Sequence, residues 1–239
     1  MFYFSIPSIG TYKILLVIAA VIPAAFLMFK VYRSDRLEKE SPGMLWRLTK
    51  AGIFAALIAL VLERAGSALL DLLVREESAA YNVILYFVVV ALSEEGAKYF
   101  LLKRSSWRSP EFDCQFDGVV YAVFVSLGFA LWENVSYVMA YGFQTAILRA
   151  LTAIPGHACF GVFMGVFYGI ARRSENGGRA GEAKACRILS LLVPILLHGA
   201  YDYVASAEGG DWIFVGFILL LFAVSYLTVG IASRRDRFI

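Results

Sequence analysis

The chain consists largely of apolar runs of roughly 18 to 25 residues, separated by short segments that carry most of its charge. A helix of that length crosses the hydrocarbon core of a bilayer, which is about 30 Å thick. Hydrophobic side chains make up 60% of the 239 residues and the mean hydropathy is +0.70, whereas soluble chains are about 45 to 50% apolar. We therefore predict an all-α fold, a polytopic bundle of transmembrane helices surrounded by lipid bilayer.

About seven apolar runs are predicted to be transmembrane spans. They cover residues 12–32, 51–73, 80–102, 118–140, 146–171, 188–205 and 212–232. The first run lacks the basic n-region of a signal peptide and is too long for its apolar part, so it is kept as a helix. No linker, low-complexity tract or internal repeat divides the chain, which favours one integral membrane domain over residues 1–239.

The loops predict an orientation, because cytoplasmic loops retain Lys and Arg. Six of these residues lie in 30–50, three in 103–108, five in 172–187 and three after position 232. Few lie near the opposite ends of the spans: Arg64, Arg75 and Arg149. We expect a multi-pass protein of the cell membrane with its N-terminus outside and its C-terminus in the cytoplasm.

Net charge and cysteines add little to the functional interpretation. The net charge of +3 follows from the loop asymmetry alone, so no nucleic-acid partner is predicted. Cys114, Cys159 and Cys186 share no C-x-x-C spacing, which indicates neither a zinc knuckle nor a disulfide framework.

Two adjacent carboxylates, Glu94 and Glu95, lie inside the third predicted span, roughly 12 Å from its cytoplasmic end. Charged groups near the centre of a membrane helix cost about 2.5 kcal/mol or more each and are usually functional. Lys98 follows Glu94 by four residues and Glu95 by three, so it could pair with either. The alternative is that Lys98 snorkels to the inner interface and Glu95 only caps that pairing, while Glu94 is functional.

The fourth predicted span carries Glu133 about seven residues, or roughly 10 Å, from its outer end. Asn134 follows it directly. An amide within the membrane either links two helices or forms a hydrogen bond in an active site, and the sequence favours neither role.

Both histidines of the chain, His157 and His198, fall in the middle of apolar spans, where their cost predicts a function. Asp202 follows His198 by four residues, so its carboxylate can hold the imidazole in one tautomer and raise its basicity. Prolines precede both histidines, at Pro155 (followed by Gly156) and Pro194, and we expect the backbone to open there toward a polar cavity.

A stripe of small residues runs along the fifth predicted span after His157. Gly161, Gly165 and Gly169 stand four residues apart, a spacing that lets another helix approach closely. Since residues four apart share a helix face, His157 should point into the bundle. The estimated depths allow the carboxylates and histidines to meet in one cavity. Grouped carboxylates cannot all ionise cheaply there, so one is expected to act as a general base that activates water.

The motifs occur in order on four successive spans: Glu94-Glu95-x-x-Lys98, Phe129-x-x-x-Glu133-Asn134, His157-x-x-x-Gly161 and His198-x-x-x-Asp202. Together they resemble the PrsW family of intramembrane proteases, within the superfamily of CAAX prenyl endopeptidases and bacteriocin-processing proteins. The resemblance covers about residues 80–205, which it marks as a four-helix catalytic core. It implies peptide-bond hydrolysis in or near the membrane. Better-known relatives cut a single-pass anti-sigma factor on its extracytoplasmic side as the first step of regulated proteolysis.

Residue roles follow from the same resemblance. It implies a catalytic set with two supporting residues: Glu94, Glu95, His157, His198, Glu133 and Asp202, with Lys98 and Asn134. Glu94 would be the water-activating base, the histidines would orient water or stabilise the oxyanion, and Asp202 would orient His198. The CAAX endopeptidases have histidine at the position of Glu133, whereas the PrsW branch has glutamate there, as this chain does. A carboxylate cannot donate a hydrogen bond as that histidine does, so the oxyanion role does not transfer to Glu133.

The cofactor and the function class each have an alternative. His157, His198 and Asp202 could hold Zn²⁺ with an open water position, but no H-E-x-x-H motif is present, and a metal-free glutamate mechanism is equally open. The rival function is a proton or divalent-cation transporter that uses the buried His, Glu and Asp set. Transporters commonly contain internal repeats, and the sequence shows none. A noncatalytic scaffold would explain only the glycine stripe.

Overall fold

A computed structural model describes residues 9–207 and 209–239. Its helices are α1 (Ile9–Ser34), α2 (Pro42–Leu73), α3 (Ala79–Ile84), α4 (Leu92–Ser106), α5 (Asp117–Tyr141), α6 (Phe143–Leu151), α7 (Ala153–Asn176), α8 (Ala180–Ala205) and α9 (Asp211–Arg234). A π-helical segment, Leu85–Ala91, joins α3 directly to α4. Apart from one isolated bridge between Cys114 and Phe238, the described residues contain no β-structure. The predicted all-α class is confirmed.

Six helical stretches in the described part of the chain are long and apolar enough to cross a membrane. They are Gly10–Ser34, Pro42–Leu73, Asp117–Tyr141, Phe143–Asn176, Ala180–Ala205 and Asp211–Arg234. The predicted span 80–102 is also helical throughout, but the π-helical segment divides it into shorter helices. The polytopic bundle is thus confirmed, and the count of seven spans is approximate.

The fifth predicted span, 146–171, comprises the end of α6 and most of α7. The helix is interrupted at Thr152, three residues before Pro155, and Thr152 lines a polar cavity, which agrees with the expected opening of the backbone beside Pro155. Pro155 lies in the first turn of α7, where a backbone N–H has no acceptor within the helix and proline is tolerated. Pro194 lies inside α8, which remains helical from end to end. The two histidines therefore project from regular helices.

Helix α5 is the centre of the bundle, and glycines bring α2 and α7 against it. A β-carbon at Gly165 would lie 2.4 Å from the Gly118 carbonyl oxygen, and one at Gly128 would lie 2.3 Å from the Thr49 carbonyl oxygen. No other residue allows such close backbone contact. The predicted stripe on α7 is confirmed, since Gly161 faces Ser126 and Gly165 faces Gly118. This close packing sets the distance between the site residues of α5 and α7.

Candidate active site

A polar cavity of about 510 Å³ lies between α2, the π-helical segment, α4, α5, α6, α7, α8 and α9. Its charged and histidine residues are Glu63, Glu94, Glu133, Arg149, His157, His198 and Asp202. Aromatic rings close much of the remaining wall: Tyr86, Tyr137, Phe160, Tyr201 and Phe214. The helices bring together every predicted catalytic residue at this cavity except Glu95. Glu95 lies behind the cavity wall and contacts His198, which is part of that wall.

Lys98 occupies the centre of the buried polar groups. Its Nζ lies 3.0 Å from Glu94 Oε2, 2.7 Å from Glu95 Oε1 and 3.2 Å from His157 Nδ1. The ammonium also stands 3.9 Å from the centre of the Phe129 ring. Lys98 is 0% exposed, so it does not snorkel to the interface. It binds both glutamates, as its spacing of three and four residues on one helix permits.

His157 connects Lys98 to Glu133. An ammonium can only donate, so His157 Nδ1 accepts from Lys98 and the ring proton resides on Nε2. That Nε2 lies 2.9 Å from Glu133 Oε2 and donates to it. His157 is therefore a neutral imidazole held in a single tautomer by its two partners.

His198 lies between two carboxylates. Its Nδ1 is 2.9 Å from Glu95 Oε1, and its Nε2 is 3.4 Å from Asp202 Oδ2. The predicted pairing with Asp202 is thus present, but the shorter contact is with Glu95, 103 residues away in the chain. Carboxylate oxygens accept, so the imidazolium form of His198 donates from Nδ1 to Glu95 and carries a second N–H on Nε2 beside Asp202. The Phe160 ring stacks on the imidazole at a centroid distance of 4.7 Å.

Arg149 joins the site although the sequence indicated no role for it. Its Nη2 lies 2.8 Å from Glu133 Oε2, and its Nε donates to Asn134 Oδ1 at 3.1 Å. Asn134 Nδ2 donates in turn to the Ala20 carbonyl oxygen of α1 at 2.8 Å. Asn134 therefore makes both kinds of contact considered from the sequence, because it links α1 to α5 and also holds a site arginine.

Glu63 is the other residue that the sequence reading missed. It projects from α2 and lines the cavity. A signal was present, since a carboxylate within the apolar run of α2 carries the same cost that marked Glu94 and Glu133.

The site contains more carboxyl groups than fixed cations. Five carboxyl side chains, those of Glu63, Glu94, Glu95, Glu133 and Asp202, surround Lys98 and Arg149. Like charges this close in a low-dielectric site cannot all persist. Protonated His198 or a shared proton must offset the excess, which equips the cavity for proton transfer.

Four residues of the site carry donor atoms of the types that bind metal ions. Glu94, Glu95, His157 and His198 each offer one atom, all within 4.8 Å of one another, and Asp202 is not in that group. Three of these four atoms already contact Lys98 Nζ at 2.7 to 3.2 Å. Zinc would need the same atoms at about 2.0 to 2.2 Å and would have to displace a buried ammonium. The arrangement fits the lysine and does not fit a metal ion.

Comparisons with known proteins identify the family of the chain. The sequence model described as PrsW family intramembrane metalloprotease matches residues 40–229. A protein named Protease PrsW from Halalkalibacterium halodurans is 32% identical over 224 residues, which cover 93% of this chain and 99% of that protein. Proteins of the same name from Bacillus subtilis and Clostridioides difficile are 31% and 32% identical, over 85% and 82% of this chain and 88% and 81% of those proteins.

No solved structure gives a significant match. The family match spans most of the chain, including all of the helices that line the cavity, and the relatives align over nearly their full lengths. The chain therefore belongs to the PrsW family of intramembrane proteases.

Proposed function

We propose that this protease cuts a single-pass membrane protein, an anti-sigma-factor-like substrate, by metal-free activation of water at Glu94. The observation that carries the proposal is the polar cavity of the candidate active site, in which Glu94 and His198 face the same space among apolar helices. Family membership supports the proteolytic activity and does not favour the transporter alternative.

Glu94 acts as the general base in this scheme. Its Oε2 is held by Lys98, and its carboxylate lines the cavity, where it takes a proton from water as the water oxygen attacks the peptide carbonyl carbon. The carbon–nitrogen bond then breaks, and the proton passes from Glu94 to the leaving nitrogen. The second proton of the water stays on the acyl product, so the products are a carboxylic acid and an amine.

His198 stabilises the oxyanion that forms in the first step. Its Nε2 contact with Asp202 is 3.4 Å, longer than an ordinary hydrogen bond, so this N–H remains available to a carbonyl oxygen in the cavity. Glu95 fixes the ring from the other side through Nδ1. Removal of one such donor typically costs about 10² to 10³ in rate.

Glu133, Arg149 and His157 form a second, linked group along the cavity wall. We assign them to positioning, because each is already held by charged or hydrogen-bonded contacts with its neighbours. Asp202 orients His198, while Lys98 and Asn134 support the set. Residues 80–205 then supply the catalytic core within a single domain of 1–239, and Glu63 of α2 completes the cavity wall.

The proposed orientation places the N-terminus outside and the C-terminus in the cytoplasm. Two hydrogen bonds support a common end for the basic loops: Gln115 N donates to the Arg237 carbonyl oxygen at 3.0 Å, and Ser233 Oγ donates to the Ser34 carbonyl oxygen. Reporter fusions at the basic loops and at the C-terminus test this, and a C-terminal reporter active only outside the cell would reverse the assignment.

The enzymatic proposal is tested with purified full-length protein in proteoliposomes and a panel of single-pass membrane proteins that includes anti-sigma-factor-like chains. We expect cleavage that Glu94→Gln and His198→Ala abolish and that the exposed-site control Glu182→Gln retains. Retained cleavage in either variant would remove that residue from the mechanism. Product mass gives the cut site. Cleavage confined to other panel members would refute the substrate class alone, and cation flux without cleavage would favour a transporter.

A chelator experiment separates the metal-free scheme from a metalloprotease. Because Lys98 supplies the positive charge among the donor atoms, we expect full activity after exhaustive treatment with a zinc chelator. Loss of activity that added Zn²⁺ restores would overturn the metal-free mechanism while leaving the protease assignment intact.

A further inference from the structure

A second group of buried carboxyl groups lies far from the candidate active site. Asp35 and Glu40 belong to the connection between α1 and α2, and Asp117 begins α5. Each offers one oxygen, and the three oxygens lie within 4.8 Å of one another. Asp117 precedes Glu133 on α5 by sixteen residues, which at 1.5 Å per residue separates the two groups by about 24 Å.

All three carboxyl groups are buried, and one of them lacks partners. Asp35, Glu40 and Asp117 are 3%, 6% and 1% exposed. Both carboxylate oxygens of Asp35 are buried without a hydrogen-bond partner, and so is Oδ2 of the nearby Asp236. Buried polar groups are nearly always satisfied, and a buried charge without a partner is costly. The orphaned Asp35 carboxylate thus points to a ligand next to Glu40 and Asp117.

The neighbouring cation forms no direct contact with the carboxylates of the group. Lys39 Nζ donates to the backbone carbonyl oxygens of Tyr32 and Asp35, not to the Asp35 carboxylate. No salt bridge joins Asp35, Glu40 or Asp117 to a basic side chain among residues 9–207 and 209–239.

The donor atoms define the chemical class of the ligand. The group offers carboxylate oxygens, and the Tyr121 hydroxyl adds a further oxygen 2.8 Å from Glu40 Oε2. Hard divalent cations such as Mg²⁺ and Ca²⁺ prefer oxygen ligands of this kind. The competing occupant is the proton, because burial raises the pKa of Asp35 to about 6 and that of Glu40 to about 7.

We propose that Asp35, Glu40 and Asp117 bind a divalent cation, Mg²⁺ or Ca²⁺, which ties the α1–α2 connection to the start of α5. The C-terminal tail joins the same place, since Asp236 Oδ1 accepts from Phe116 N at 2.8 Å. The cation thus holds two separate parts of the chain together, beside the C-terminal tail, at the end of the bundle opposite the cavity. This site is structural and independent of the proteolytic mechanism.

Thermal unfolding of the full-length protein in detergent, after removal of metal, tests the proposal. We expect Mg²⁺ or Ca²⁺ to raise Tm, whereas K⁺ at matched ionic strength does not. Asp35→Asn should raise the half-saturating cation concentration at least about tenfold. The matched control is Glu38→Gln, which removes an exposed carboxylate from the same connection and should behave like wild type. Glu94→Gln should also keep the response, which excludes the active site as its source.

Two results would overturn the proposal: no divalent-cation effect on wild-type Tm, or an unchanged effect in Asp35→Asn. A proton-only site predicts a more stable Asp35→Asn without cation dependence. Terbium luminescence, excited through the aromatic side chains, supplies a readout independent of stability. Mg²⁺ or Ca²⁺ should displace bound Tb³⁺ from wild type, and the same signal in Glu40→Gln and Asp35→Asn as in wild type would count against the site.

Discussion

Adjacent residues on one helix take different tasks in this site. Consecutive residues of an α-helix point about 100° apart, so Glu94 faces the cavity while Glu95 is 0% exposed. Glu95 instead holds Lys98 and His198 through one oxygen. The sequence shows only that the two glutamates are adjacent and does not assign their roles. The direction of each side chain in the structure distinguishes the two roles.

This difference predicts distinct phenotypes for Glu94→Gln and Glu95→Gln. Loss of the base in Glu94→Gln should reduce kcat by about 10² to 10⁴ and lower thermal stability less than Glu95→Gln does, because Glu94 faces the cavity and Lys98 keeps its contact with Glu95. Glu95→Gln should reduce both kcat and thermal stability, because breaking a buried ion pair costs about 3 to 5 kcal/mol. Cleavage rates and Tm measured on the same preparations check this. Equal losses of stability in the two variants would contradict the division of roles.

Lys98 predicts a latent metal site. The ammonium contacts Glu94, Glu95 and His157, so Lys98→Met should leave these donor atoms facing an uncharged side chain. We expect the variant to bind Zn²⁺ more tightly than wild type and to lose cleavage. Competition with a chromophoric chelator measures the affinity, and Lys103→Met at the exposed end of the same helix is the control. A wild-type Zn²⁺ affinity equal to that of Lys98→Met would contradict the prediction.

The sequence predicted contacts within one helix better than contacts between helices. Lys98 with the glutamates and Asp202 with His198 follow from spacings of three or four residues. The contact between Glu95 and His198 depends on how α4 and α8 pack, and Arg149 reaches Glu133 only because α6 turns back beside α5. The spacing of residues along one helix does not predict such contacts between helices.

At the scale of elements, the π-helical segment controls how α8 meets α4. Its Phe87 packs on Gly199, where a β-carbon would lie 2.5 Å from Phe87 Cδ1. Gly199 directly follows His198, so this contact sets the depth of the imidazole relative to Glu95. A π-helical turn has no distinct composition, and residues 80–102 read as an ordinary apolar span. Such segments often accompany functional sites.

Gly199→Ala should therefore impair catalysis through position alone. The methyl group forces Phe87 to move, which shifts His198 from its 2.9 Å contact with Glu95. A displacement near 1 Å can cost about 10² in rate, and we expect a cleavage loss of that order. Gly216→Ala on α9, where nothing lies within 4 Å, is the control. Combining Gly199→Ala with Phe87→Ala should recover part of the rate, and a fully active single variant would refute the argument.

On the scale of the whole molecule, the two ends of the bundle are stabilised differently. The cavity lies among apolar helices, whereas the α1–α2 connection, the start of α5 and the C-terminal tail meet around buried carboxyl groups. The sequence predicted the helices and the four-motif core through hydropathy and resemblance. It gave no sign of this meeting point, because Asp35, Glu40 and Asp236 lie in polar segments where carboxylates are common.

These carboxyl groups predict the pH dependence of stability in the presence of a chelator. Burial raises the pKa of Asp35 to about 6; Lys39 opposes this rise and Asp236 adds to it. Burial also raises the pKa of Glu40 to about 7, although the hydrogen bond from Tyr121 lowers it. Carboxyl groups of unfolded chains titrate near pH 4. The folded state thus holds protons more tightly, so this stabilisation is complete below about pH 4 and is lost as pH rises to about 7.

We accordingly expect Tm without divalent cations to fall as pH is raised from about 5 to about 8. Tm should fall less when Mg²⁺ or Ca²⁺ is present, because the bound cation offsets the charge of the carboxylates that have lost their protons. Asp35→Asn removes one of the raised groups and should flatten the profile, whereas Glu38→Gln should leave it unchanged. Differential scanning fluorimetry across this range measures the slope. A Tm that is constant or rises with pH in chelator would show that these buried carboxyl groups do not oppose folding when they ionise.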